Sequence, residues 1–202
     1  MLKILRTGLG SVSWILQCQL DINNIFTAEK FWLMENELLI RFADADDINT
    51  IGFLAQQTWP KAYGEILSQQ QISYMLNLFY APPALGEQMK QHQFVIAELN
   101  EEPVGFASYS SIDMTDTYKL HKLYILPDTQ GKGIGKALLD FVIDEIKQKD
   151  AVFLHLGVNR FNPAVGFYEK LGFTKLKEEK TDIGNGFVMD DYIMELKLPS
   201  PA

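Results

Sequence analysis

Cysteine is nearly absent: Cys18 is the single one in 202 residues, which excludes an internal disulfide framework and a multi-cysteine metal cluster. A reducing, cytoplasmic compartment fits that usage, and no metal site is expected. Long apolar runs are also lacking. The most apolar early stretch, Val12 to Leu20, is broken by Gln17 and Gln19 and falls far short of the roughly 20 residues that cross a bilayer. No membrane anchor is expected. Lys3 and Arg6 precede that stretch in the manner of a secretory leader, but no convincing small-residue cleavage site follows. Positive charge is scarce: 18 Lys and Arg against 26 Asp and Glu leave a net charge of -8. That balance argues against nonspecific nucleic-acid binding and mildly favours cationic partners.

What is present describes a globular chain. Apolar residues make up 47% and charged residues 22%, which excludes wholesale disorder and fibrous repeats, and the length suits one domain. Residues 1–33 show neither helical nor strand periodicity and read as an N-terminal extension. A coherent pattern starts at Met34, so the domain is expected over 34–202. Leu38 to Phe42 reads as a strand and Asp44 to Asp47 as a helix start. Two helices follow, punctuated by Pro60 and Gly64 and ended by Pro82-Pro83. Phe94 to Ala97 and Val104 to Ala107 form a hairpin, and Tyr118 to Leu126 a third antiparallel strand. The face Ile134, Leu138, Leu139, Val142, Ile143 and Ile146 predicts a helix, and Val152 to Leu156 a buried strand, which makes a β-α-β unit. A helix from about Pro163 to Gly172 precedes two last strands, Phe173 to Lys177 and Phe187 to Leu196, joined by the turn Asp182 to Gly186.

The sharpest local feature is Pro127-Asp128-Thr129-Gln130-Gly131-Lys132-Gly133-Ile134-Gly135-Lys136, between a strand and a helix. Alternating glycines let backbone N–H groups converge on a phosphate at a helix N-terminus; the plainer reading is a flexible turn. The P-loop pattern fails because Ala137 follows Lys136, and the dinucleotide fingerprint fails because its third glycine falls at Lys136.

Gln130-x-x-Gly133-x-Gly135 after an apolar strand, followed by Asn162-Pro163-Ala164-Val165-Gly166-Phe167-Tyr168-Glu169-Lys170-Leu171-Gly172-Phe173, resembles the GNAT superfamily of acyl-CoA N-acyltransferases over about Leu38 to Leu196. Within it, Leu120 to Pro127, Val158 to Asn162 and above all Gly184 to Glu195 resemble the PaiA-type subgroup, regarded as spermidine/spermine N-acetyltransferases. The resemblance implies an α/β fold: a mixed, splayed central sheet of about seven strands with helices on both faces. It implies that the backbone of Leu123, Tyr124 and Ile125 lies against the pantetheine and acetyl group of acetyl-CoA. Gln130 opens the loop in which Gly131, Lys132, Gly133, Ile134, Gly135 and Lys136 hold the pyrophosphate. Asn162 or Asn159 reaches the cofactor's amide arm, since superfamily members commonly place an Asn seven residues before the Tyr and here the interval is six. Tyr168 lies beside the sulfur, where its hydroxyl can donate to the departing thiolate; the alternative is packing alone.

The chemistry also needs a group that takes a proton from an ammonium with a pKa near 10. His121, on the face of Leu123 and Ile125 if the strand is regular, Glu98 and a water chain stay open. Asp190 and Asp191 are adjacent on a strand, so at most one faces a given pocket, where it would anchor a substrate ammonium. Trp59, Tyr63 and Tyr80 either line an amine tunnel through their ring faces or belong to the core. His92 suggests no chemistry. The expectation is therefore acetyl transfer from acetyl-CoA to a primary amine, foremost a small polyamine, by direct attack in a ternary complex, since no cysteine near the motifs can carry an acyl group. Acetylation of protein N-termini or lysines is the enzymatic alternative, and a noncatalytic acyl-CoA-binding module the other. A homodimer is compatible with the resemblance.

Overall fold

The computed structural model describes residues 37–112 and 116–199. The expected extension over 1–33, the domain start at Met34 and Cys18 lie outside them. The chain opens with β1 (Leu38–Phe42), and Asp44 then starts the helical layer. Its carboxylate accepts the N–H of Asp46 while the Asp47 carboxylate accepts the N–H of Asp44, a reciprocal cap that satisfies otherwise orphaned donors. Helices α1 (Ile48–Tyr63), α2 (Gln69–Tyr80) and α3 (Pro82–Met89) follow. On α1 the buried residues Ile51, Leu54, Ala55, Thr58 and Trp59 recur at three- and four-residue steps and form one face.

Two proline expectations are corrected here. Pro60 lies inside α1 rather than ending it: the carbonyl it leaves without a donor is that of Gln56, whose residue is exposed, so water can take its place. Pro82 and Pro83 do not merely end α2. Ala81 breaks the run in an extended conformation, and the prolines start α3, where a missing N–H has no helical partner to lose.

Strands β2 (Gln93–Leu99), β3 (Glu102–Ser111) and β4 (Thr117–Ile125) run antiparallel in succession. Helix α4 (Ile134–Lys147) crosses to β5 (Phe153–Asn159), which lies parallel to β4. After α5 (Ala164–Lys170), closed by Gly172 at φ 92, come β6 (Thr174–Gly184) and β7 (Phe187–Lys197). The sheet order is β1-β2-β3-β4-β5-β7-β6, a mixed seven-stranded sheet of the expected kind. β6 runs seven residues past the expected end at Lys177 and takes in the first part of the expected Asp182 to Gly186 turn, because that continuation, Glu178 to Gly184, is polar and mostly exposed. Such a strand carries no apolar alternation; it sits at the sheet edge, where charges discourage pairing with other chains.

Two apolar cores flank the sheet. One, around Leu138, Leu139, Val142, Leu154 and Met194, lies under α4 and α5. The other, around Ile51, Leu54, Ile72, Leu85 and Phe106, lies under α1, α2 and α3. The β6–β7 tip is tied to α2: the Tyr74 hydroxyl donates to the Ile183 carbonyl at 2.6 Å, Gln71 Nε2 donates to the Val188 carbonyl at 3.1 Å, and Tyr74 and Phe187 rings lie 5.3 Å apart. No helix among the described residues is long and apolar enough to cross a membrane.

Candidate active site

β4 and β5 pair only from Thr117 with Phe153 to Leu120 with Leu156. Beyond Leu120 the two strands diverge, β4 running on to Ile125 and β5 to Asn159. Backbone groups that face the gap lack the strand partner they would have in a closed sheet, and such groups need another one. The gap opens into a cleft of about 1020 Å³. Leu123, Tyr124 and Ile125 line its β4 wall.

The glycine loop forms the next wall. A 3-10 turn over Pro127–Thr129 is fastened by the Thr129 hydroxyl donating to the Leu126 carbonyl at 3.0 Å, and Gln130 Nε2 donates back to the Ile125 carbonyl at 3.2 Å. Gly131 and Gly133 then take φ of 76 and 80, a region that side chains disfavour. Gly133 is the N-cap of α4 and supplies no side-chain cap, so the first amides of the helix remain free for an anion. Gln130, Gly131, Gly133, Ile134, Gly135 and Lys136 line the cleft; Lys132 belongs to the loop but not to the lining.

Asn162 and Tyr168 line the opposite wall. Asn162 Oδ1 accepts the N–H of Ala164 at 2.8 Å and thereby starts the turn into α5. Asn159 is buried, with Oδ1 accepting the N–H of Phe161 at 3.0 Å, and does not line the cleft. Of the two amides, Asn162 is the one at the cavity. The residue seven before Tyr168 is Phe161, exposed at the cleft wall with the Arg160 guanidinium 5.7 Å from its ring. Tyr168 packs edge-on against Phe167 and Phe173. Burial, with a smaller effect of Tyr63, pushes its hydroxyl well above the ordinary tyrosine range, so it stays protonated and can donate.

Tyr63 completes the constellation from the last turn of α1. Its hydroxyl lies 3.2 Å from that of Tyr124. Burial raises it, polar contacts with Tyr124 and Asn162 oppose the rise, and the charge of Asp191 adds to it. The signal in the sequence is its position four residues after Trp59, on the same helical face. Trp59 itself does not line the cleft: it is 3% exposed and sits behind the site, against Tyr63, Tyr80 and Tyr124. Trp59 and Tyr80 are thus core residues that back the site, because α1 turns that face onto the sheet.

Alternation separates the two aspartates of β7. Asp190 faces Arg160 Nε at 3.4 Å and Lys180 Nζ at 3.6 Å. Asp191 faces the other way: its Oδ2 lies 3.5 Å from where a Cβ on Gly157 would stand, and Gly157 lines the cleft. Burial, reinforced by Asp190 and Glu179 and opposed by Lys119, pushes the Asp191 carboxyl up to about 6.

Of the other base candidates, His121 lines the cleft and Glu98 does not. Glu98 is bound to Arg41 at 2.8 Å, outside the cleft. His121 does not share the face of Leu123 and Ile125, because the register slips between Ser108 and Tyr109 and β4 carries an extra residue there. Its ring stacks on His92 at 3.8 Å, its Nε2 shares a hydrogen bond with the Ser110 hydroxyl at 2.8 Å, and burial beside His92, Lys119 and Lys122 pushes it down to about 3. It is a neutral ring and a weak base.

Comparison with known proteins gives these features a context. Residues 65–196 match the family model described as "Acetyltransferase (GNAT) domain". A spermidine N(1)-acetyltransferase of Thermoplasma acidophilum is 30% identical over 159 residues, 75% of this chain and 94% of that protein. The crystal structure of the PaiA N-acetyltransferase from Thermoplasma acidophilum in complex with coenzyme A superposes with a TM-score of 0.67 at 28% identity, over 80% of this chain and 99% of that one. A [ribosomal protein bS18]-alanine N-acetyltransferase of Haemophilus influenzae is 37% identical over 81 residues, 40% of this chain and 54% of that protein. A 34% identical match spans only 38% of an uncharacterized N-acetyltransferase of Methanocaldococcus jannaschii.

Proposed function

Taking as premise that the chain belongs to the GNAT acetyltransferase family, we propose that it acetylates a small polyamine of the spermidine or spermine type. It is an acetyl-CoA-dependent N-acetyltransferase, and the cleft fits that donor. The free edge of Leu123, Tyr124 and Ile125 meets the pantetheine arm and the acetyl group. The loop from Gln130 to Lys136 takes the pyrophosphate on the amides that Gly133 leaves uncapped, and Asn162 meets the amide arm. The thioester carbonyl then lies against backbone N–H groups of β4, which stabilise the oxyanion as an amine attacks. Tyr168 donates to the sulfur as the thiolate leaves.

Asp191, a partly buried carboxylate that makes no hydrogen bond or ion pair among the described residues, suits an acceptor that arrives as an ammonium. A carboxylate held that way is costly until a cation reaches it. Asp190, already facing Arg160 and Lys180, has less to offer. The observation that carries the choice of a polyamine is the similarity to a spermidine N(1)-acetyltransferase over 75% of this chain and 94% of that protein. A protein N-terminus is the second reading, favoured by the similarity to an enzyme named for acetylating a ribosomal alanine. Steady-state kinetics with acetyl-CoA and spermidine, spermine, a monoamine or an N-terminal alanine peptide separate the two. The polyamines are expected to give the highest kcat/KM, and a peptide used better than both would transfer the assignment to protein N-termini.

A further inference from the structure

We propose that Asp191 is the proton acceptor of the reaction, a catalytic residue that pairs with the reacting ammonium itself rather than with a distal charge of the acceptor. This rests on the acetyl-transfer reading and deepens it. Three geometric observations carry it. First, β7 presents Asp191 across Gly157, where β5 has no side chain to intervene and where β4 and β5 have already diverged. Second, Gly157, against which Asp191 stands, lines the same cleft as Tyr63, Tyr124 and Tyr168, and the first two of those hydroxyls lie 3.2 Å apart; the charge of Asp191 also acts to raise the Tyr63 hydroxyl. Asp191 does not itself line the cleft; it stands beside Gly157, which does, so an acceptor amine meets the carboxylate past that glycine. Third, the strand is held in that orientation by the docking of the β6–β7 tip on α2, so Asp191 does not depend on a mobile loop.

The charged and titratable groups that act on Asp191 leave it available. Its own strand brings Asp190, β6 brings Glu179, β4 brings Lys119 and α1 brings Tyr63. Two acids and a neutral hydroxyl do not compete for its charge, and among the described residues Lys119 makes no ion pair with it. Partial burial raises the proton affinity of the carboxylate and lowers that of an ammonium, which brings the two closer as a proton transfer requires, while the attraction of the pair favours both charged forms and holds the ammonium at the carboxylate.

The protons balance. The ammonium gives one proton to Asp191 and becomes the free amine, whose lone pair forms the C–N bond while the carbonyl π electrons move to oxygen. Collapse of that intermediate breaks the C–S bond. The second nitrogen proton passes through the Tyr168 hydroxyl to the departing sulfur, giving the amide and the free thiol. Asp191 then releases its proton to solvent, the one net proton of the reaction.

The test is Asp191→Asn in the full chain, assayed with acetyl-CoA against spermidine and against n-butylamine, which has no distal charge. A proton acceptor predicts a loss in kcat of about 100-fold for both amines, unchanged acetyl-CoA affinity, and an acid limb in wild type as the pH falls through about 6 that disappears in the variant. Asp191→Glu should recover part of the rate. A loss confined to the KM for spermidine, or an acid limb that persists in Asp191→Asn, overturns the proposal and leaves a distal anchor. Should wild type acetylate neither amine, the small-amine reading fails by itself. Carbon-13 titration of the Asp191 carboxyl then still decides its state: titration in the ordinary aspartate range overturns the base assignment, and titration near 6 supports it.

Discussion

The charged groups beside β1 and those at the splay are built on opposite plans. Beside β1, Arg41 donates through Nε to Glu98 at 2.8 Å and through its two terminal nitrogens to Asp47 at 2.7 and 2.8 Å, while Asp47 also caps the helical turn. The guanidinium beside it holds the Asp47 carboxyl below its usual range. At the splay, Asp191 has no such partner and is pushed the other way by burial. A closed cluster satisfies its charges internally and serves the fold. An open one keeps an unmet electrostatic demand for a ligand, and perturbed groups in a cleft are where chemistry is to be sought.

That contrast predicts a division of labour: changes at the splay should strike binding and rate, and changes beside β1 should strike stability. The largest effect is expected from Gly133→Val. A side chain at φ 80 adds about 1–2 kcal/mol of strain and covers the uncapped amides of α4, so acetyl-CoA affinity measured by calorimetry should fall at least about 100-fold while circular dichroism still reports a folded chain. Unchanged affinity in the folded variant would remove the pyrophosphate from this loop. Next comes Tyr168→Phe, which deletes a hydroxyl and keeps the ring between Phe167 and Phe173. Turnover should drop about 100-fold with donor affinity intact; wild-type turnover would reduce Tyr168 to packing. Arg41→Ala should reverse the pattern. It strands Asp47 and Glu98, so denaturant unfolding should show a loss of about 2 kcal/mol, with kcat per folded molecule unchanged. A rate defect larger than the folded fraction explains would break the division.

Much of this arrangement could be read before the fold was known, because it rests on local rules. The glycines had to serve a strand-to-helix turn, the β4–α4–β5 unit followed from apolar periodicity, and strand alternation required that Asp190 and Asp191 part company. What escaped was set by contacts distant in sequence. The extra residue in β4 that removes His121 from the Leu123 face depends on pairing with Ser108 and Tyr109. The length of β6 depends on β7, since its own residues carry no apolar pattern. That Asp190 finds Arg160 and Lys180 while Asp191 finds neither depends on β6, β7 and the turn after β5 at once. Which of Asn159 and Asn162 lines the cleft likewise depends on the turn each one makes, which a spacing of six or seven residues does not specify.

The smallest expected effect tests the open cluster by its sign. The Asp191 carboxyl is raised in the folded chain to about 6, whereas in the unfolded chain it titrates near its ordinary value of about 3.9. The folded state therefore binds the proton more tightly. The stability linked to that proton is fully present below pH of about 4 and is lost as the pH rises through about 6. Asn has no proton to lose, so Asp191→Asn should be more stable than wild type at pH 7.5, by about 1 kcal/mol once solvent screening of a partly exposed site is allowed for, or about 2–4 °C in melting temperature. The gap should close as the pH falls through 6, and taking it as a difference between two chains cancels the acid effects they share. A gap that is constant with pH would mean that Asp191 already has a partner in solution, and the contrast with Asp47 would vanish. A gap that opens above pH 6 would show a charge kept at some cost to the fold, as expected of a residue retained for its reaction.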